Sequence, residues 1–345
     1  MNYSNYCLLG KTDGGLDGYF ENYDYGSYLK YFGGKSNLRK VLMKTVLNIS
    51  SHAWKKSGGK LPIFIDAFTG GGKLGLCMPH EMFSEIVMND LDGCMYNLYK
   101  VMKSEAYTNL IETIESICYS HDRLLLNEEL ETFNKYSQKI YDDIDKVEGQ
   151  VNRAEIILAA LYFMVLYSSY YGQTEMTASL NVRAEHIVDR AHDLMPDIHK
   201  RLQGITLTNL DYRQLIAKYN GLQYSDQTGQ KHTDPARESE KVYYFDPPYY
   251  KLKLSEKEKT YKYDFSVKDT EKMTEILSGK NKNYGELNYW VKSDYMPAHD
   301  NNYPFASIED PNTYCVFDLG SVLVGEKSAM ELQTKHEYIW AKGLK

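Results

Sequence analysis

Several absences narrow the possibilities before any motif is considered. The chain has only five cysteines (Cys7, Cys77, Cys94, Cys118 and Cys315), far apart and without a Cys-x-x-Cys pair. An odd, scattered set argues against a disulfide framework or a zinc site and for reduced thiols in a cytoplasm-like compartment. Nine histidines show no metal-ligand spacing, so no metal is expected. The opening residues, MNYSNYCLLGK, lack the basic region and apolar run of a secretory signal. Long hydrophobic runs are missing too. The nearest candidate, Ile156 to Tyr167, is too short to cross ~30 Å of hydrocarbon and reads as a buried core helix. Positive charge is not in excess either, the formal net charge being -7. That speaks against a surface that clings to nucleic acid all over, but not against a local basic face.

What is present is an ordinary globular composition. With 345 residues, 43% hydrophobic and 25% charged, the chain can bury a sizeable core in one large domain or two. Residues 1–27 form a leader rich in Tyr, Gly and Asn with no clear period. YFGGKSNLRKVLMKTVLNI then reads as a glycine loop feeding a helix, with Ser36 as its N-cap. Strands are expected at 61–68, 85–90, 205–210, 241–245, 288–293 and 312–319, and another in the tail KHEYIWAKG. Residues 91–170 are mostly helical in pattern, with the charged stretch 127–150 a solvated helix face or loop. A hairpin is expected around 166–182, a helix after Asp211, and a polar surface loop over 220–240. Short apolar strands alternating with helices predict an α/β fold with a mainly parallel sheet. The helical block is too long for one crossover and is expected to be an inserted domain over 101–200, between catalytic segments 28–100 and 201–345.

Two stretches carry chemistry. FIDAFTGGGKLGL contains Gly70, Gly72 and Gly75, a literal G-x-G-x-x-G, with Asp90 twenty residues beyond Gly70. That pattern fits a nicotinamide dinucleotide, and equally any adenosine ligand whose ribose an acid can hold. It is not a P-loop, because Lys73 is followed by Leu74 and not by Ser or Thr. Asp66 before the glycines would repel a pyrophosphate but suit a sulfonium or ammonium group, which favours S-adenosylmethionine. The second stretch, KVYYFDPPYY, is a strand halted at Asp246 by Pro247 and Pro248, with Tyr249 following.

Y-F-G-G-K (31–35), D-A-F-T-G-G-G (66–72), N-D-L-D (89–92) and D-P-P-Y (246–249) occur in that order. Together they resemble the Dam-like DNA adenine-N6 methyltransferases, the α-group of amino-methyltransferases. The resemblance implies a Rossmann-like catalytic domain dependent on S-adenosylmethionine, with the helical insert serving target recognition, and a cytoplasmic enzyme of a bacterial or phage-infected cell. It implies that Tyr31, Lys35, Asp66, Phe68, Gly70 and Gly72 bind the cofactor, that Asp90 holds its ribose, and that Asp211 approaches its adenine. Asp246, Pro247, Pro248 and Tyr249 would be catalytic. Double-stranded DNA would be the partner, its adenine flipped out of the helix. The cations Lys251, Lys253, Lys257, Lys259 and Lys262, interleaved with Tyr261 and Tyr263, suit DNA phosphates and an extruded base. Two features depart from the family: Ser293-Asp294-Tyr295 stands where Ser-Asn-Tyr is usual, and 170–182 lacks the arginine-rich wording of a GATC reader. An amino group of RNA or protein as acceptor, or an inactive DNA-binding relative, are the alternatives.

Overall fold

The computed structural model describes residues 2–5, 15–31, 38–147, 149–169, 172, 174, 180–248, 265–297, 314–324 and 333–344. At its centre is strand β1 (Ile63–Asp66), with β2 (Glu85–Asn89) parallel on one side and β6 (Lys241–Phe245) parallel on the other. β3 (Ile205–Thr208) extends the sheet beyond β2, and β7 (Tyr289–Pro297) extends it beyond β6, both parallel. Antiparallel β9 (Gln333–Lys342) and then β8 (Tyr314–Val324) complete the far edge. The order is β3-β2-β1-β6-β7-β9-β8, a Rossmann-like α/β sheet that is mostly parallel.

Alternation along the strands divides the interior. Phe64, Met88, Val242, Tyr244 and Val291 face one cluster, while Ile63, Ile65, Val87, Tyr243, Phe245 and Trp290 face the other. Because both faces are covered, the strands are apolar throughout rather than half polar. The second cluster is closed by α8 (Tyr212–Tyr219) and α9 (Val267–Leu277). The first receives α2 (Arg39–Lys56) and the helices between β2 and β3: α3 (Gly93–Lys103), α4 (Tyr107–Ser120), α5 (Arg123–Asp143), α6 (Arg153–Ser168) and α7 (Ala184–Leu202). Among these α6 is the apolar helix of the sequence, started by a capping box between Asn152 and Glu155. Its residues 158–160 and 162–168 are all buried. No helix among the described residues is long and apolar enough to cross a membrane.

The structure adds detail to several expectations. The helix expected after the glycine loop begins at Arg39, preceded by Leu38 without a side-chain cap, and Ser36 lies outside the described residues. The 127–150 stretch falls largely on α5, whose buried side carries Leu126, Leu130, Phe133 and Tyr141. α6 continues to Ser168 and a Ser169–Leu180 antiparallel bridge follows it, while most of the expected 166–182 hairpin lies outside the described residues. The 220–240 loop contains a small ribbon, β4 (Gln223–Ser225) against β5 (Lys231–Thr233). Within the leader, α1 (Gly15–Glu21) leads into a tyrosine cluster, and Tyr3 and Phe20 are buried in the first core.

Candidate active site

The strand order reverses between β1 and β6, and ligands of open α/β sheets bind at the carboxyl ends beside such a switch point. Three acids stand there. Asp66 ends β1, Asp90 follows β2, and Asp246 follows β6; the register sets Asp66 opposite both Met88 and Tyr244. Among the described residues, no group of three or more His, Cys, Asp or Glu side chains is placed to hold a metal ion.

The loop after β1 is held by backbone and side chain alike. Thr69 N donates to Asn89 O at 2.8 Å, Gly72 N to Thr69 O at 2.9 Å, and Leu29 N to Gly71 O at 2.9 Å. Asp90 accepts Gly70 N on Oδ2 at 2.8 Å and Asp92 N on Oδ1 at 2.9 Å. Tyr99 OH donates to Gly70 O at 2.8 Å from the buried side. Gly70 and Gly72 have φ of +47° and +75°, a region that favours glycine. A Cβ on Gly70 would come within 2.8 Å of the Tyr31 ring, and one on Gly72 within 2.6 Å of Tyr99 OH. Tyr31 therefore packs directly on the glycine loop.

Asn89 joins three strand ends. Its Nδ2 donates to Ala67 O and Leu210 O, and its Oδ1 accepts from Thr208 Oγ1 and Leu210 N, all within 3.0 Å. Both halves of the buried amide are thus satisfied, which fixes the tips of β1, β2 and β3 relative to one another.

Asp66 is only 2% exposed. Oδ2 accepts from Gly75 N at 3.2 Å, while Oδ1 is buried with no hydrogen-bond partner among the described residues. Burial, and then the charge of Asp246, pushes its carboxyl up to about 8. Asp246 is half-buried and accepts from Ser293 Oγ on Oδ1 at 2.8 Å. Pro247 is buried and Pro248 half-buried.

The remaining expected residues divide into two groups. Phe68 joins a cluster with Tyr212, Phe265 and Phe245, the ring centroids lying 5.6, 6.0 and 6.5 Å away. Asp211 caps α8 through Arg213 N and holds the Arg213 guanidinium in a two-pronged pair at 2.7 and 2.8 Å. Its carboxylate is thus engaged with its own helix, at the end of β3. Lys35, Tyr249, Lys251, Lys253, Lys257, Lys259, Tyr261, Lys262 and Tyr263 lie outside the described residues.

Sequence reasoning missed Tyr99 and Tyr244, and it named Ser293 only within a departure from the family's Ser-Asn-Tyr. Tyr99 sits on α3, and in sequence nothing separates it from the other aromatics of the helical block. Ser293 lies midway along β7, the strand that pairs with β6 just before Asp246. Tyr244 is visible in the sequence only as a strand former.

The sheet order, the glycine loop after the first strand and the acids on three strand tips define a Rossmann-like enzyme. Residues 31–303 match the D12 class N6 adenine-specific DNA methyltransferase family. The match spans well over half the chain, and the chain belongs to that family. No curated protein matches it.

Proposed function

We propose that the protein transfers a methyl group from S-adenosylmethionine to the N6 amino group of an adenine flipped out of double-stranded DNA at a specific site. The observation that carries this reading is the juxtaposition of Asp246 and its two prolines with the glycine loop, at the switch point of the sheet.

The residues present fit such a cofactor. Asp66 Oδ1 is a buried acceptor without a partner among the described residues, and nearby acids favour a cation over a phosphate. The glycine loop leaves no room for a Cβ at Gly70 or Gly72. Asp66, Phe68, Gly70, Gly72 and Asp90 would hold the cofactor, with Tyr31 behind the loop and Asp211 at its periphery, and Lys35 is the cation proposed for the cofactor carboxylate. Asp90 accepts a backbone N–H on each carboxylate oxygen at the tip of β2, and this carboxylate is the proposed acceptor for the ribose hydroxyls. S-adenosylmethionine, when bound, supplies an electrophilic methyl group.

The chain's own part is to make a poor nucleophile competent. The lone pair of adenine N6 is delocalised into the ring, and acceptors on its two hydrogens localise it and stabilise the charge that develops. Asp246 provides one acceptor through its carboxylate and Pro247 the other through its carbonyl. The paired prolines fix that carbonyl because their φ angles are locked. Tyr249 would stack on the base. Extruding the base costs roughly a few kcal/mol, for which stacking and phosphate contacts must compensate. The lysines of 251–262, with Tyr261 and Tyr263, are the proposed phosphate and strand contacts, and the helices of 101–200 the target-recognition region.

Asp246→Ala and Asp90→Ala separate the two halves of the site. Asp246→Ala should abolish transfer while cofactor affinity, read by calorimetry, stays within about threefold, since its carboxylate serves the substrate. Asp90→Ala should weaken cofactor binding by roughly tenfold or more through lost ribose contacts and a loosened Gly70. Loss of cofactor binding in Asp246→Ala would assign that carboxylate to the cofactor instead.

A further inference from the structure

Asp246 is held from behind. In the β6–β7 register Phe245 pairs with Lys292, so the next residues of the two strands, Asp246 and Ser293, lie abreast. Ser293 is fully buried, and its Oγ donates to Asp246 Oδ1 at 2.8 Å. The same Oγ is 3.1 Å from the hydroxyl of Tyr244, itself buried. A serine hydroxyl has one hydrogen to give. With that hydrogen directed at Asp246, the Tyr244 hydroxyl must donate to Ser293. The result is a chain with one direction, Tyr244 to Ser293 to Asp246, in which each donation strengthens the next.

We propose that Ser293, backed by Tyr244, is a positioning residue that fixes the Asp246 carboxylate in the orientation that accepts from the substrate amino group. The inference rests on the reading of Asp246 as that acceptor. The prolines after Asp246 hold its backbone but leave the side chain its rotations. Anchoring Oδ1 to a buried hydroxyl on the neighbouring strand removes that freedom before substrate arrives. Neither hydroxyl needs to touch substrate.

A hydroxyl chain that merely satisfies buried polar groups would leave rate and pH dependence alone, and the test is built on that difference. Full-length wild type, Ser293→Ala, Tyr244→Phe and the double variant are compared for methyl transfer to DNA adenine, S-adenosylmethionine affinity and the pH profile of kcat. Ser293→Ala should lower kcat about 10–100-fold. Its cofactor affinity should stay within about twofold, and the acid limb of its profile should move to higher pH. Tyr244→Phe should lower kcat by about 3–10-fold, and should add nothing in the Ser293→Ala background, where the chain is already cut. A wild-type kcat and acid limb in Ser293→Ala, or additive effects of the two substitutions, would overturn the proposal. Should Ser293→Ala not fold, Tyr244→Phe decides alone, because it deletes one oxygen and keeps the ring; an unchanged rate and profile there refutes the chain. A wild type that transfers no methyl group to DNA would remove the underlying reading instead, before any variant is compared.

Discussion

Asp66 is an acid whose charged form its surroundings disfavour. Its carboxyl titrates at about 8 in the fold, against roughly 4 in an unfolded chain. Between those values the folded state binds more protons, so stability falls as pH rises, by up to about 1.4 kcal/mol per pH unit from this group. The contribution is complete below about pH 4 and lost by about pH 8. Asp66→Asn should therefore flatten the pH dependence of unfolding over that window and make the cofactor-free protein more stable than wild type above about pH 8. Chemical denaturation across the pH series measures both. A wild-type slope that persists in Asp66→Asn would place the proton elsewhere. A bound cation would relieve the same strain, which is why this acid belongs with the cofactor in the proposed function.

Among the secondary-structure elements, the β1–α3 region shows what a sequence can and cannot disclose. The strand, its halt at Asp66 and the following glycines are legible because apolar runs and glycine punctuation are local signals. The reason for those glycines is only half legible. In sequence they signify room for a ligand, whereas in the fold the loop is also pressed by the protein's own Tyr31 and Tyr99, residues distant in sequence. Gly70→Ala should therefore cost about 1–3 kcal/mol of stability and tenfold or more in cofactor affinity, because the new methyl meets the Tyr31 ring at a positive φ. Gly58→Ala is the control: its φ is +71° but nothing lies within 4 Å of the added carbon. It should lose only about 1 kcal/mol and no affinity. Equal affinity losses in the two variants would mean that the loop's close packing does not shape the site. The Ser293–Asp246 contact is illegible for the same physical reason, since strand pairing between residues 47 apart is decided by the sheet as a whole.

In the molecule as a whole, the sheet and the helical block share one core. Phe64, Ile86 and Met88 from the strands lie in the same cluster as Leu98, Leu158 and Met195 from the helices, and as Tyr3 and Phe20 from the leader. A shared core predicts cooperative loss of the strands and the helices in a single thermal transition, followed by calorimetry. Removing residues 1–27 should lower Tm by roughly 5–15 °C, because two buried aromatics leave cavities behind. A truncated protein with unchanged Tm would show that the leader is peripheral. The order of strands and helices is readable from the sequence, but this continuity is not. Composition marks where a pattern changes and says nothing about which faces meet.

Every residue assignment in the site depends on the reaction itself. The decisive assay is labelled methyl transfer from S-adenosylmethionine to genomic DNA of a methylation-deficient host, followed by single-molecule sequencing of the product. Label should appear in N6-methyladenine at one recurring short site, and Asp246→Ala should abolish it. Tight cofactor binding with no label in DNA, or label on any base other than adenine, would refute the proposed reaction.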